Sequence, residues 1–312
     1  DPKYLLDGNQ QKPDFLLIGG SKCVTTSFAA YFPAHPQVAT WVVKEPNFWS
    51  WRKPTAQQYQ SLFCNRRTPS LLGASQQIAG DYSTSYLLHP LVPRRVCAVL
   101  PDIKIVVMLR NPIDRAYSHY VMSRRSGLED HQSFDDIVVR EMEQAPELLD
   151  AHDRGFHDSS CAIAACCSDE QGKPLYFPLH NRTWTQRPLL LDNDLQSFYF
   201  TSYVFRSIYY AQLARWLALF PRSQVLVLQA EKFFRKPAEH MARAASFMDL
   251  EPYDFASSAA LKRAYAGSAA GDWAPPEKYP PMKKTTRKLL RDFFAPYNEK
   301  LYRLIDEDYG WR

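Results

Sequence analysis

The stretch Leu16 to Phe32, "LLIGGSKCVTTSFAAYF", constrains the fold more than any other part of the chain. An apolar run, Phe15 to Ile18, meets Gly19 and Gly20. Ser21, Lys22 and the hydroxyls of Thr25, Thr26 and Ser27 follow, and then an apolar segment that suits a helix. Strand, glycine loop and helix in that order favour an anion, because backbone N–H groups converge where the helix begins. A nucleoside-triphosphate loop requires G-x-x-x-x-G-K-[ST], whereas here Ser21 precedes the lysine and Cys23 follows it. A plain capped helix after a strand would leave Lys22 without a role.

The rest of the chain repeats the alternation. Strand-like runs rich in β-branched residues occur at Phe15 to Ile18, Gln37 to Val43, Lys104 to Leu109 and Gln224 to Gln229. Helix-compatible segments lie between and after them at Thr26 to Tyr31, Pro90 to Leu100, Ile113 to Arg125, Ser207 to Phe220 and Pro237 to Met248. This pattern predicts an α/β fold, a P-loop-like parallel sheet of about five strands flanked by helices. The 312 residues are read as a single domain. Residues 144–200 have no clean period and are read as an irregular insertion, on the acceptor side of any site. Met282 to Asp306 reads as a closing helical region interrupted at Pro296.

Composition narrows the partners. Hydrophobic residues at 46% and charged residues at 23% describe a globular chain. A formal charge of +5 leans toward anionic ligands but is too small to imply nucleic acid. No apolar run reaches the ~18 residues of a membrane span, and the first residues lack a signal-peptide pattern. Membrane contact is expected only through an anchor that this sequence does not include. Cys23, Cys64, Cys97, Cys161, Cys166 and Cys167 show no metal-ligand spacing, so no metal is expected. Asn181-Arg182-Thr183 is a glycosylation sequon.

Two further segments carry chemistry. In "IVVMLRNPIDRAYSHY", Ile105 to Tyr120, Arg110 stands at the carboxyl end of a strand, where open α/β sheets bind ligands. Pro112 begins the next helix, so Arg110 and Ser118 can converge on one phosphate, a guanidinium fork plus a hydroxyl. Asp114 and Arg115 are read as solvated or locally paired charges. In "VVKEPNFWSW", Val42 to Trp51, Glu45 precedes a proline and is expected to be extended. A carboxylate beside two anion sites suits a general base. Lys44 stands next to it, and Phe48, Trp49 and Trp51 either stack on a sugar face or belong to the core.

Together these segments resemble the sulfotransferases that use 3′-phosphoadenosine 5′-phosphosulfate, and specifically their Golgi carbohydrate branch. Lys22-Cys23-Val24-Thr25-Thr26 matches that family's K-x-G-T-[TS] loop, and Arg110 to Tyr120 matches R-[ND]-P-x-x-R-x-x-S-x-Y in full. Lys44-Glu45-Pro46 is similar to the K-E-P-H segment of glycosaminoglycan enzymes, and "IYYAQLARWLALF" to their Y-A-x-x-L-x-x-W-L helix. Met282 to Asn298 looks most like the N-acetylgalactosamine 4-sulfate 6-O-sulfotransferases. The chain departs from the pattern at Val24, where glycine is usual, at Asn47, where histidine is usual, and at Tyr82, where lysine is usual. The basic K-G-R loop of heparan 3-O enzymes is missing near Trp273 to Pro281.

The resemblance implies sulfuryl transfer from that donor to a carbohydrate hydroxyl, in the Golgi lumen of the secretory pathway. Glu45 is the implied base, and Lys22 the implied stabiliser of charge. The donor is implied to meet Lys22, Cys23, Val24, Thr25, Thr26, Ser27, Arg110 and Ser118, and the acceptor Lys44 and Trp49. The acceptor is read as an anionic, already sulfated polysaccharide, with Arg52, Lys53, Arg124 and Arg125 either lining its groove or scattered on the surface. The rivals are a sulfotransferase of a small alcohol, a non-catalytic glycan-binding relative and a nucleotide-type kinase.

Overall fold

The computed structural model describes residues 12–40, 43–50, 56–63, 77–129, 132–157, 202–259, 261 and 281–312. Among these, four strands form one sheet in the order β2-β1-β3-β4, with every neighbouring pair parallel. They are β1 Phe15–Gly19, β2 Gly80–Tyr82, β3 Lys104–Leu109 and β4 Val225–Gln229. Every residue of β1 and of β4 is buried, so both faces of each strand are covered. A parallel sheet of continuous apolar strands requires that cover. The Phe15 ring lies directly over Gly80, where a Cβ atom would come within 2.2 Å of it. Only glycine fits at that point of β2.

Helices supply the cover. They are α1 Thr25–Tyr31, α2 Ala56–Ser61, α3 Val92–Val99, α4 Pro112–Arg125, α5 Phe134–His157, α6 Tyr209–Leu217, α7 Ala230–Arg235, α8 Pro237–Phe247 and α9 Lys284–Ile305. Phe28 of α1, Val96 of α3, Trp216 of α6 and Met241 of α8 join the strands in one core. A second apolar cluster links Ile113 of α4, Ile137 of α5, Phe205, and Phe294 of α9.

Several expectations are corrected. Gln37 to Val43 is not a strand: Val38 makes a single parallel bridge to Ile78, and residues 41–42 lie outside the described residues. The amides of Gln37 and Val38 are taken locally by His35, at its Nδ1 (3.1 Å) and its carbonyl (3.0 Å), which leaves little for a ladder. Among the described residues there are four strands and this bridge in place of the sheet of about five strands expected. The strand that sequence reading missed, β2, has three residues and is too short to show a period.

Residues 144–157 are helical rather than irregular. Ile137, Glu141, Ala145, Leu148 and His152 are all buried at helical spacing, and α5 runs through Pro146. The remainder of the expected insertion, 158–200, lies outside the described residues, with Cys161, Cys166, Cys167 and Asn181. Pro296 does not interrupt α9, because it sits on the exposed face while Leu290, Phe294, Asn298, Leu301 and Ile305 form the buried one. Water can satisfy the carbonyl that a proline frees there.

Candidate active site

The chain leaves β1 for β2 on one side of the sheet, and β3 lies on the other, so strand order reverses between β1 and β3. Open α/β sheets form their ligand crevice at that point, beyond the carboxyl ends of the strands. β1 leads there into loop 20–24, and β3 into Arg110. The amide of Gly20 donates to the Met108 carbonyl at 2.6 Å, which ties the loop to β3. Arg110 Nη1 donates to the Lys22 carbonyl at 3.3 Å, and the Tyr209 hydroxyl to the Arg110 carbonyl at 2.9 Å.

A cavity of about 590 Å³ opens over these groups. The loop and α1 contribute Ser21, Lys22, Val24, Thr25, Thr26 and Ser27, and the β3–α4 connection contributes Arg110, Ser118 and Met122. Lys44, Glu45 and Asn47 form another part of the wall, with Thr84, Ser85, Arg206 and Phe234. Lys22 carries its ammonium 3.5 Å from the Met122 sulfur. Burial lowers its pKa, and the charges of Arg110, Arg115 and Arg125 add to that effect. Cations crowded in this way repel one another until an anion enters among them.

The loop holds Lys22 at φ 66° and Val24 at φ 67°, and Val24 caps α1 with no side-chain hydrogen bond. Left-handed backbone costs an L-residue about 1–2 kcal/mol, and a β-branched residue is uncommon there. Val24 thus occupies, under strain, a conformation that glycine adopts freely. Glu45 likewise departs from the extended form expected before proline, with φ 60°, and Asn47 follows at φ 52°. The Glu45 amide donates to the Tyr82 carbonyl at 3.1 Å, which anchors this turn on β2. Its carboxylate accepts from Lys44 Nζ at Oε1 (2.8 Å) and from the Thr84 hydroxyl at Oε2 (2.9 Å). Arg206 Nη2 in turn donates to the Thr84 carbonyl at 3.2 Å.

Two residues expected at the site lie behind its wall. Cys23 is fully buried under the loop, its thiol 3.7 Å from the Tyr209 hydroxyl, and burial pushes its pKa up. Trp49 is corrected from an acceptor contact to a core residue. It is 0% exposed, it packs edge-on against Phe48 and Tyr59, and its Nε1 donates to the Tyr59 hydroxyl at 3.2 Å. Trp51, Arg52 and Lys53 lie outside the described residues.

Asp114 pairs with Arg287 of α9 at 2.6 Å, while Arg115, read from sequence as solvated or locally paired, is fully buried. Its Nε donates to the Ser207 hydroxyl at 2.6 Å and its Nη2 to the Tyr203 carbonyl. Glu141 accepts from the amides of Tyr203, Val204 and Phe205, and burial raises its pKa to about 7. Asp81 on β2 accepts from three hydroxyls, and burial raises its pKa to about 6.

Sequence reasoning did not single out Thr84, Ser85, Arg206 or Phe234. The run Ser83-Thr84-Ser85 directly after β2 was the available signal, since hydroxyls cluster beyond a strand end. Arg206 had none, because a lone arginine next to an aperiodic region looks like surface.

Fold and cavity define a P-loop-like α/β protein with a crevice lined by Lys22, Lys44, Arg110 and Arg206 and a carboxylate, Glu45, in its wall. The chain belongs to the sulfotransferase family: the Sulfotransferase domain model matches residues 12–263. It is 23% identical to the membrane-associated sulfotransferase kil1 of Dictyostelium discoideum, over 96% of this chain and 66% of that protein. It is 25% identical to carbohydrate sulfotransferase 15 of Rattus norvegicus, over 96% and 54%. With heparan sulfate glucosamine 3-O-sulfotransferase 3A1 of Mus musculus it shares 26% identity, over 98% and 66%. The chain therefore spans between about half and two thirds of these relatives' lengths. A crystal structure of a sulfotransferase from Alicyclobacillus acidocaldarius shares the fold, with a TM-score of 0.61 at 23% identity, covering 96% of this chain and 99% of that one. Among the described residues, no helix is long and apolar enough to cross a membrane.

Proposed function

We propose that this protein transfers a sulfuryl group from 3′-phosphoadenosine 5′-phosphosulfate to a hydroxyl of a carbohydrate, in particular an acidic or sulfated polysaccharide. The observation that carries the reading is one cavity wall holding the Glu45 carboxylate together with the cationic loop of Lys22 and the Arg110–Ser118 pair. The donor brings an activated sulfuryl group and two separate anionic ends. Lys22 with the hydroxyls of Thr25, Thr26 and Ser27 suits one end, and Arg110 with Ser118 the other, as charge-assisted donors. In-line transfer of such a group depends on positioning and on charge stabilisation, by analogy with phosphoryl transfer.

Glu45 takes the proton of the acceptor hydroxyl. Lys44 and Thr84 each hold one of its oxygens, so the carboxylate is oriented before the acceptor arrives. Lys44 and Arg206 supply positive charge on the same wall and suit an anionic acceptor. A glycosaminoglycan-type acceptor is further supported by the names of the carbohydrate and heparan sulfate relatives. The finer likeness to N-acetylgalactosamine 4-sulfate 6-O-sulfotransferases rests on the sequence of Met282 to Asn298. A Golgi-lumenal place agrees with a glycan acceptor and with the Asn181 sequon.

The test has two arms. Calorimetry is expected to show binding of 3′-phosphoadenosine 5′-phosphate and not of ATP; the reverse preference would make the protein a kinase-type nucleotide binder. A labelled-donor screen over desulfated and partly sulfated polysaccharides and small alcohols is expected to label a polysaccharide. Donor binding without transfer to any acceptor would leave a non-catalytic glycan-binding relative.

A further inference from the structure

We propose that Asp81 is a positioning residue for the turn that carries Glu45: through the hydroxyls of Ser83, Tyr86 and Tyr59 it fixes the backbone of residues 45–49, and with it the direction in which the Glu45 carboxylate faces. The inference rests on the reading of Glu45 as the base. Asp81 does not line the cavity; it is 1% exposed and lies on β2, the edge strand, in register with Leu16 of β1.

Three paths run from this one carboxylate to the turn. Oδ1 accepts from the Ser83 hydroxyl at 2.6 Å, and that oxygen accepts from the Asn47 amide at 3.0 Å. Oδ2 accepts from the Tyr86 hydroxyl at 2.7 Å, and that oxygen accepts from the Trp49 amide at 3.4 Å. Oδ2 also accepts from the Tyr59 hydroxyl at 2.8 Å, which accepts from Trp49 Nε1 at 3.2 Å. A hydroxyl has one proton to give. Because an ionised carboxylate can only accept, all three protons point toward Asp81 and all three oxygens are turned toward N–H groups of the turn. The carboxylate thus sets the polarity of every relay at once.

The turn needs such constraint. Glu45 and Asn47 both sit in left-handed backbone, which residues with side chains hold only where their surroundings over-determine it. The next residue of β2, Tyr82, holds the Glu45 amide through its carbonyl, so consecutive residues of one strand clamp both ends of the segment. A buried carboxylate held by hydroxyls is a poor device for stability, since an apolar group of the same shape avoids its desolvation. Its use is directional.

Asp81→Asn replaces one acceptor oxygen by an NH₂ donor and opposes the Ser83 relay if the nitrogen takes the Oδ1 position, or the Tyr59 and Tyr86 relays if it takes Oδ2. The expected result is a kcat for sulfuryl transfer lower by about 10- to 100-fold, the scale of a misplaced reacting group, with the 3′-phosphoadenosine 5′-phosphate dissociation constant and the acceptor KM unchanged within about twofold. Asp81→Glu, which keeps acceptor-only chemistry, should recover part of the loss. Ser83→Ala and Tyr86→Phe each cut one path while leaving the carboxylate in place, and each should lower kcat by a smaller factor; they decide the matter if the Asp81 variants do not fold. Rates are expressed per nucleotide-binding site, so misfolded protein does not count. A wild-type kcat per site in Ser83→Ala, Tyr86→Phe and any folded Asp81 variant, with only the melting temperature lowered, would overturn the proposal. Glu45→Gln is measured alongside. Wild-type turnover in that variant would overturn the base reading and this inference with it, whereas its loss together with normal Asp81, Ser83 and Tyr86 variants would overturn this inference alone.

Discussion

Glu141→Gln measures what a fully buried charge does to stability. Glu141 lies on α5 and accepts from the amides of Tyr203 (2.9 Å), Val204 (2.7 Å) and Phe205 (3.1 Å), the segment that leads into Arg206. Burial raises its pKa from an ordinary 4.5 to about 7, against the opposing pull of those three N–H groups and of the Arg115 charge. A carboxyl with those two values binds its proton more tightly in the fold than in the open chain by about 3 kcal/mol. Because the folded value is the higher one, this contribution is fully present below the unfolded pKa and is lost as pH rises through about 7. The wild-type protein therefore loses about 3 kcal/mol from this group between roughly pH 4 and pH 8, and the glutamine variant does not. Urea unfolding of both proteins across that range should show the variant gaining about 3 kcal/mol relative to wild type as pH rises. The offset at any one pH also contains the cost of the new amide donor, so the slope of the difference is diagnostic. A difference flat to within about 0.5 kcal/mol would refute the buried, proton-binding carboxylate.

Three further outcomes are expected. Arg110→Ala should weaken 3′-phosphoadenosine 5′-phosphate binding by about 2 kcal/mol, roughly 30-fold by calorimetry, and Ser118→Ala by less; an unchanged constant for the arginine variant would remove it from the donor site. Val24→Gly relieves about 1–2 kcal/mol of left-handed strain and gives back part of it through a lost half-buried side chain and a more flexible unfolded chain. Its stability should therefore move by less than about 1 kcal/mol while affinity for the same nucleotide rises; a weaker-binding glycine variant would show that the loop is built around valine. The KM for a sulfated galactosaminoglycan should rise between low and physiological salt while that for a neutral glycoside stays level, because added ions screen Lys44 and Arg206; equal salt response of the two would argue for a small uncharged acceptor.

What the sequence discloses of this fold follows from where its signals are local. β1, β3 and β4 are continuous apolar runs and can be read directly, and so can Lys22 and Arg110, which the chain places just beyond two of those runs. β2 is three residues long and depends on its register with β1, with Gly80 fitted to a ring from another strand, so nothing local announces it. The helix through Pro146 was obscured because a proline and several charges mask a buried face spaced every three to four residues. Trp49 fits an acceptor contact by its place beside Glu45, and its packing against Tyr59 and Tyr86, distant in sequence, assigns it to the core. The conformation of Glu45 was misread because the local preference before proline yields to hydrogen bonds from β2. Arg206 reaches the cavity beside Thr84, whose carbonyl accepts from it across 122 positions of sequence, while Glu141 holds the amides of residues 203–205 and Arg115 the neighbouring Ser207.

Glu45 is expected to remove the acceptor proton in a site that binds donor independently of it. Glu45→Gln keeps the shape of the side chain and removes its basicity. With labelled 3′-phosphoadenosine 5′-phosphosulfate and a saturating sulfated polysaccharide, the turnover number should fall by about 10²- to 10⁴-fold. The dissociation constant for 3′-phosphoadenosine 5′-phosphate, measured on the same preparation, should stay at its wild-type value. A variant that turns over at the wild-type rate would show that Glu45 is not the base.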